Sequence, residues 1–440
     1  MSRRPVPRIF CAHAGPARSR LALSAARLWL AASITALTLL AARAAGQPVP
    51  APGQNVNMVS GTQWPGGDPF LQRQNEPSMG VSSRNPLHLL AGANDYRTVD
   101  LPVSDLLPGS LAGDAWLGVF KSFDGGQSWQ STLLPGYPQD QSAEGLASPL
   151  KAYNAAADPT VRPGVGGLFQ FSGIAFNRGT NQGAVFVSQW LDVNNKENGD
   201  ATLGLDPIKY VRTVVVDTGT SGQFLDKPWL AVDIPRGGAG TCSFSFSPAV
   251  SIPAGNVYLV WSRFTGSSST KIMFSRSLDC GKTWSNPIKL SESNSINQGT
   301  NVAIEPTTGA IFVAWRRFAT SSQPDAIIVA TSTDFGKTFP SKNTVQVATI
   351  APFDQSTSTT QFRTNALPSI AASVDSANVS RVHVAWAQRD AVTHDSRIVV
   401  ATSADAGANW GPPAAVDAAP LTDDLGNPFS RGHQFMPQLT

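Results

Sequence analysis

Ser122-Phe-Asp124-Gly-Gly126-Gln-Ser128-Trp129 is the stretch from which the rest of the chain can be read, because it returns three times. The copies are Ser277-Leu-Asp279-Cys-Gly281-Lys-Thr283-Trp284, Ser332-Thr-Asp334-Phe-Gly336-Lys-Thr338-Phe339 and Ser403-Ala-Asp405-Ala-Gly407-Ala-Asn409-Trp410. A fixed pattern that recurs tens of residues apart marks one supersecondary unit used repeatedly. Each copy follows an apolar run, Trp116–Phe120, Lys271–Phe274, Ala326–Ala330 or Arg397–Ala401, and so reads as a strand entering a hairpin. The Asp carboxylate accepts bonds from nearby backbone N–H groups and the Gly takes positive φ, which is what such a turn needs.

Each hairpin is preceded by two further strands. Pro228–Asp233 leads to Asn256–Arg263, Thr300–Glu305 to Ala310–Arg317, Pro368–Ala372 to Arg381–Arg389, and Pro77–Val81 to Leu87–Arg97. Between the first two hairpins lies one more unit, Asp158–Val161, Leu168–Arg178 and Gly183–Ser188, whose turn has drifted to Ser188-Gln-Trp-Leu-Asp192. First strands therefore begin near residues 77, 159, 228, 300, 368 and 437. Four strands per unit around an axis predict an all-β chain, a six-bladed β-propeller of four-stranded antiparallel blades. With 38 Gly, 33 Pro and only 14% charged residues, the composition suits short strands and tight turns. The sixth unit starts at 437 and the sequence runs to Thr440, so an incomplete sixth blade is expected, with the chain a fragment or an open ring. Gln54–Thr62 could supply one outer strand of it.

The first 46 residues read differently. Arg3, Arg4, Arg8, Arg18, Arg20 and Arg27 precede an apolar stretch from Leu28 to Ala42 that ends in small residues, the pattern of a secretory signal peptide. The stretch is about 15 residues against the roughly 20 that span a bilayer. A secreted or periplasmic protein without a stable membrane anchor is expected. Residues 1–46 hold seven Arg and no acid, so their removal takes the formal +3 to −4 and leaves no electrostatic case for nucleic acid. Residues 47–75 read as an extension and 76–440 as the propeller.

The four motifs resemble the Asp-box, or bacterial neuraminidase repeat, of the sialidase superfamily. The resemblance covers about residues 70 to 440 and implies a glycan or glycoconjugate as partner, with a protein partner as the alternative for a non-catalytic propeller. In a four-stranded antiparallel blade the one-to-two and three-to-four turns share one face, and the two-to-three and four-to-one connections share the other. Asp124, Asp279, Asp334 and Asp405 are thus expected to be structural, on the face away from the chemistry. The same parity puts Cys242 and Cys280 on one face of one blade and predicts a disulfide between them.

On the opposite face, strand two ends five times in Arg: Arg97, Arg178, Arg263, Arg317 and Arg389. Sialidases clamp the substrate carboxylate with three Arg, so the resemblance makes these candidate substrate ligands. Sialidases also use a carboxylate-activated Tyr, and Tyr96 with Asp95 and Glu76 matches that role. The family's Arg-Ile-Pro tripeptide has no counterpart, since Pro7-Arg-Ile-Phe10 and Asp233-Ile-Pro-Arg236 have other orders. Four-to-one loops add Arg73, Asn75, Asp226, Lys227, Arg363, Asn365, Arg431 and His433, and Asp158 with Asp226 forms the pair for an ordinary two-carboxylate glycosidase. No cofactor and no metal is expected: the five His lack ligand spacing, and Asp192–Asp200 puts Lys196 and Glu197 where a calcium loop needs a ligand and a Gly. Oligomeric state is not legible.

Overall fold

The computed structural model describes residues 56, 58–59, 74–98, 114–178, 182–193, 206–220, 222–246, 249–266, 269–292, 294–354, 364–417, 425–426 and 432–440. The signal segment, Arg73, Arg363, Arg431 and residues 194–200 of the acidic loop lie outside them. Val56–Thr440 forms one compact unit.

Each recurrent unit becomes an antiparallel sheet whose strands lie side by side in chain order. Blade 1 is β1 (Asn75–Val81), β2 (Leu89–Asp95), β3 (Trp116–Ser122) and β4 (Gln130–Leu133). Blade 2 is β5 (Ala155–Pro163), β6 (Leu168–Asn177), β7 (Gln182–Asp192) and β8 (Ile208–Gly219). In blade 3, β9 (Gln223–Val232) is followed by a small hairpin, β10 (Thr241–Phe244) with β11 (Val250–Pro253), before β12 (Val257–Thr265), β13 (Ser269–Ser277) and β14 (Ile288–Lys289). Blade 4 is β15 (Asn297–Ile304), β16 (Ile311–Arg317), β17 (Ala326–Ser332) and β18 (Thr344–Thr349). Blade 5 is β19 (Ser369–Val374), β20 (Ser380–Arg389), β21 (Ser396–Ser403) and β22 (Ala414–Ala415).

The core lies between the blades. Phe171 and Phe186 meet Trp116 and Leu90 between blades 1 and 2, and Val185 and Val187 meet Leu230 and Trp261 between blades 2 and 3. Val260 and Phe274 meet Val313 and Trp315 between blades 3 and 4, and Phe312 and Val329 meet Val384 and Trp386 between blades 4 and 5. Middle strands therefore bury both faces, as β2, β3, β16 and β17 do along their whole length, because each sheet is packed on two sides. Among the described residues no apolar cluster joins blade 5 to blade 1. The other face of blade 1, with Ala91, Ala93 and Phe120, is covered by Met58 and Val59. Residues 433–440, where a sixth inner strand was expected, form no strand. They run beside blade 5, with Gln434 N donating to Ser396 O and Leu439 N to Ser369 Oγ at 2.9 Å each.

Every residue type of the Asp-box has a task in the turn. Ser332 Oγ donates to Asp334 Oδ1 at 2.7 Å and accepts from Gly336 N at 3.0 Å. Asp334 then accepts from Thr338 N at 2.9 Å and Thr338 Oγ1 at 2.6 Å. The other three copies repeat this set. Trp129, Trp284 and Trp410 close their boxes by donating Nε1 to the Gly carbonyl at 3.0–3.1 Å. Phe339 cannot donate and packs on Phe274 instead, centroids 4.8 Å apart. The Gly residues sit at φ 73–92°, where a Cβ is strained.

Burial pushes Asp334 up, but the bonds from Thr338, Ser332 and Lys337 outweigh it and hold the group at about 2. At Asp405 the bonds from Asn409 lead, and the result is again about 2. A carboxylate depressed in the folded state contributes stability above its unfolded value, and that stability is lost as pH falls through the folded value. Asp334→Asn is accordingly expected to flatten the acid side of the melting-temperature profile between about pH 4 and pH 2. An unchanged slope in thermal melts over that range would argue against the ionised Asp-box as an acid-sensitive element.

Cys242 on β10 and Cys280 in the blade 3 Asp-box are bonded, with Cα atoms 6.4 Å apart. The bridge ties the β10–β11 hairpin to the Asp-box face, beside Leu168 and Leu191 of blade 2. No helix among the described residues is long and apolar enough to cross a membrane.

Candidate active site at the mouth of the axis

Glu76, Asp158 and Lys227 hold the same place in three successive blades: the residue before the proline in the inner strand, where a bulge interrupts pairing with strand two. All three take left-handed backbone, with φ of 53°, 59° and 48°. In blade 4 the place is held by Gly299, φ 71°, because the Leu367 side chain comes within 2.6 Å of where a Cβ would stand. Met436, ahead of Pro437, repeats the conformation at φ 56°. A residue with a Cβ loses about 1–2 kcal/mol in this region, and it persists only where surrounding contacts hold it.

Neighbouring strands supply those contacts. Asn94, opposite Asn75 in β1, donates Nδ2 to Glu76 Oε2 at 3.2 Å and to Asn75 Oδ1 at 2.7 Å, and accepts from Asp158 N at 2.8 Å. Lys227 N donates to Asp158 Oδ2 at 3.0 Å. The Lys227 ammonium stands 3.7 Å from Glu76 Oε1 and 3.9 Å from Asp158 Oδ1. The Asp158 carboxyl neighbours those of both Glu76 and Asp226, and each of them bears on its proton affinity.

Neighbouring carboxylates disfavour each other's ionised form. Burial pushes Glu76 above the usual carboxylate range, the neighbouring Asp158 carboxyl adds to this, and Lys227 opposes it. Burial also raises Asp158, opposed by Lys227 and helped by Asp226. The Glu76 side chain is 43% exposed and that of Asp158 only 13%. The arrangement offers an accessible proton donor, a buried carboxyl behind it, a further carboxyl and one ammonium. Among the described residues no group of three or more His, Cys, Asp or Glu is arranged to hold a metal ion.

The other sequence candidates are placed elsewhere. Asp95 is buried in an ion pair with Arg97, whose Nε donates to both carboxylate oxygens at 2.9–3.0 Å and whose Nη2 reaches Thr132 O on β4. Tyr96 is half-buried on the same face as Glu76 but one strand further out, beside Arg178. Arg178 pairs with Asp114, Arg263 with Asp217 on β8, and Arg317 donates to Gln346 on β18 at 2.9 Å. Arg389 lies over Phe353, 5.3 Å from its centroid. Arg97, Arg263 and Arg317 thus lean toward outer strands, away from the axis. Asn94 and Lys227 were not singled out as site centres in the sequence. The signal for Lys227 was its place before Pro228, parallel to Glu76-Pro77 and Asp158-Pro159.

A concavity of about 820 Å³ lies on the flank between blades 1 and 2. Its Lys121 is already paired with Asp206 and stacked 4.7 Å over Trp190, so the chemistry at the axis is the better furnished.

No family model matches the sequence, and no curated protein matches it. Among solved structures, the chain is similar to an α-L-arabinofuranosidase from Fusarium graminearum, with 14% identity over 77% of this chain and 79% of that one, TM-score 0.43. It is also similar to the sialidase of Trypanosoma rangeli, with 12% identity over 76% of this chain and 46% of that one, TM-score 0.41. For the endo-arabinase of Bacteroides thetaiotaomicron the values are 12%, 74%, 93% and 0.33. The chain spans less than half of that sialidase. By its own strand order the chain is a β-propeller, and four of its blades carry the Asp-box turn.

Proposed function

We propose that the protein is a glycoside hydrolase acting at the axial mouth. The observation that carries this is the cluster of carboxyl groups Glu76, Asp158 and Asp226, neighbours gathered from three inner strands. Glycosidic bond cleavage needs one protonated carboxyl to protonate the leaving oxygen and one ionised carboxyl to activate water or attack. Glu76, accessible and held protonated to higher pH than an ordinary glutamate, takes the first role. Asp226 takes the second, and Asp158 between them is a positioning residue.

An acidic, sialic acid-type sugar is the substrate class implied by the Asp-box resemblance, and Lys227 is the cation at the mouth that would meet its carboxylate. The arabinosidase likeness adds arabinosides to the test panel. A second reading, a non-catalytic propeller that binds a glycan at this mouth, draws on Lys227 standing near both Glu76 and Asp158. Export by residues 1–46 completes the proposal and places the site where it meets extracellular or periplasmic glycans.

The test is release of chromophore from a panel of aryl α-sialosides, arabinosides and other glycosides by the wild-type chain and by Asp226→Asn. Turnover of one member, lost in the variant, supports the reading. Binding of a glycan without turnover of any glycoside leaves the second reading standing and removes the first.

A further inference from the structure

Below the mouth the inner strands enclose an axial cavity of about 550 Å³, lined by β1, β5, β9, β15 and β19 and by residues 438–440. Arg162 of β5 faces it. Its guanidinium is stacked 4.7 Å from the Trp229 ring centroid, and Nη1 donates to the neighbouring Val161 O at 2.8 Å. Those are its contacts: among the described residues no carboxylate, side-chain or terminal, stands at ion-pair distance, and burial alone shifts the group, downward. Arg316, by contrast, is met by both Asp325 and Asp354.

A second polar residue lines the same space. Asn301 of β15 is 4% exposed and lines the cavity, and its side-chain amide has no hydrogen-bond partner among the described residues. No Asp or Glu side chain is among the lining residues. A guanidinium does not lose its proton at any working pH, so a half-buried one cannot relieve its desolvation by neutralising. The remedy open to it is a counter-ion. Trp229 on one side keeps the planar fork oriented and leaves its remaining N–H groups free.

We propose that the axial cavity is an anion site, in which the Arg162 guanidinium and the Asn301 amide hold a small carboxylate or inorganic oxyanion. The ligand chemistry is a planar or tetrahedral group with at least two oxygen acceptors, matched to a fork of N–H donors plus an amide. Two sources carry it: a free oxyanion such as phosphate, and the carboxylate of a hexuronic acid. This site stands apart from the reaction proposed at the mouth, and its test needs no turnover.

Thermal melts of the whole chain, at constant ionic strength set with sodium chloride, are titrated with sodium phosphate and separately with sodium glucuronate. A ligand that binds the folded state alone raises the midpoint saturably. A saturable rise with phosphate alone identifies a free oxyanion, with glucuronate alone a sugar carboxylate, and either supports the site provided that Arg162→Met abolishes it. The same variant is expected to melt above wild type when no phosphate or glucuronate is present, since an uncompensated buried charge has been removed. Asn301→Asp, which puts a like charge beside the ligand, is expected to weaken binding about tenfold or more, and serves where Arg162→Met does not fold. No response beyond that to chloride in wild type, or an equal response in the variants, overturns the proposal.

Discussion

Glu76→Gln is expected to lower turnover of the responsive glycoside about 100-fold or more, with a much smaller change in KM, because proton transfer to a leaving group is worth roughly that factor. The pH profile distinguishes a catalytic loss from a structural one. Burial and the neighbouring Asp158 carboxyl raise Glu76, so its proton is retained to higher pH than usual, and the wild-type rate should fall as pH rises through that raised value. In the Gln variant that alkaline limb should disappear from whatever activity remains. Asp158→Asn gives the companion measurement. A carboxyl raised in the folded state contributes stability below its unfolded value and loses it as pH rises through the folded value. At neutral pH the ionised form is therefore a burden, and the neutral amide relieves it while still accepting from Lys227 N. The variant is expected to melt higher than wild type at pH 7 and to turn over more slowly. A variant that is both less stable and fully active would contradict this assignment. Gain of stability with loss of rate is the signature of a site held against its own folding preference.

Asp95→Ala should show the opposite balance. Both members of the Asp95–Arg97 pair have fully buried side chains, so removing the carboxylate takes that partner from a buried guanidinium. Breaking such a pair by deleting one partner costs about 3–5 kcal/mol. Denaturant melts should show that loss, whereas Asp95→Leu combined with Arg97→Met should recover most of it, since a well-packed apolar pair of similar size is often as stable as the ion pair. If the single variant unfolds at the wild-type midpoint, the pair is not the internal clamp its geometry suggests. If instead it is stable and inactive, Asp95 belongs to the chemistry beside Tyr96, as the sequence resemblance implied.

The Asp-box shows why so much of the architecture was readable. Ser332, Asp334, Gly336 and Thr338 satisfy one another within seven residues, so the pattern carries its own turn wherever it occurs. Inner strands were expected near 77, 159, 228, 300 and 368, and β1, β5, β9, β15 and β19 include or closely adjoin those positions. The Cys242–Cys280 bond likewise follows from strand parity, which is a property of the chain order.

The site was less legible for the reason that it belongs to no single repeat. Arg at the end of strand two looked like a shared feature, yet each guanidinium answers to whatever stands beside it: Asp95 for Arg97, Asp217 for Arg263, Gln346 for Arg317. Glu76, Asp158 and Lys227 are different residue types at one repeated place, so no motif joins them. The sequence alone determined the blades, their turns and the face each turn occupies, because those depend on local hydrogen bonds and the order of strands. Only the tertiary structure decided which carboxyl groups crowd together at the axis, which arginines are already paired, and that Arg162 has no ion-pair partner among the described residues, because those are questions of which blade stands next to which.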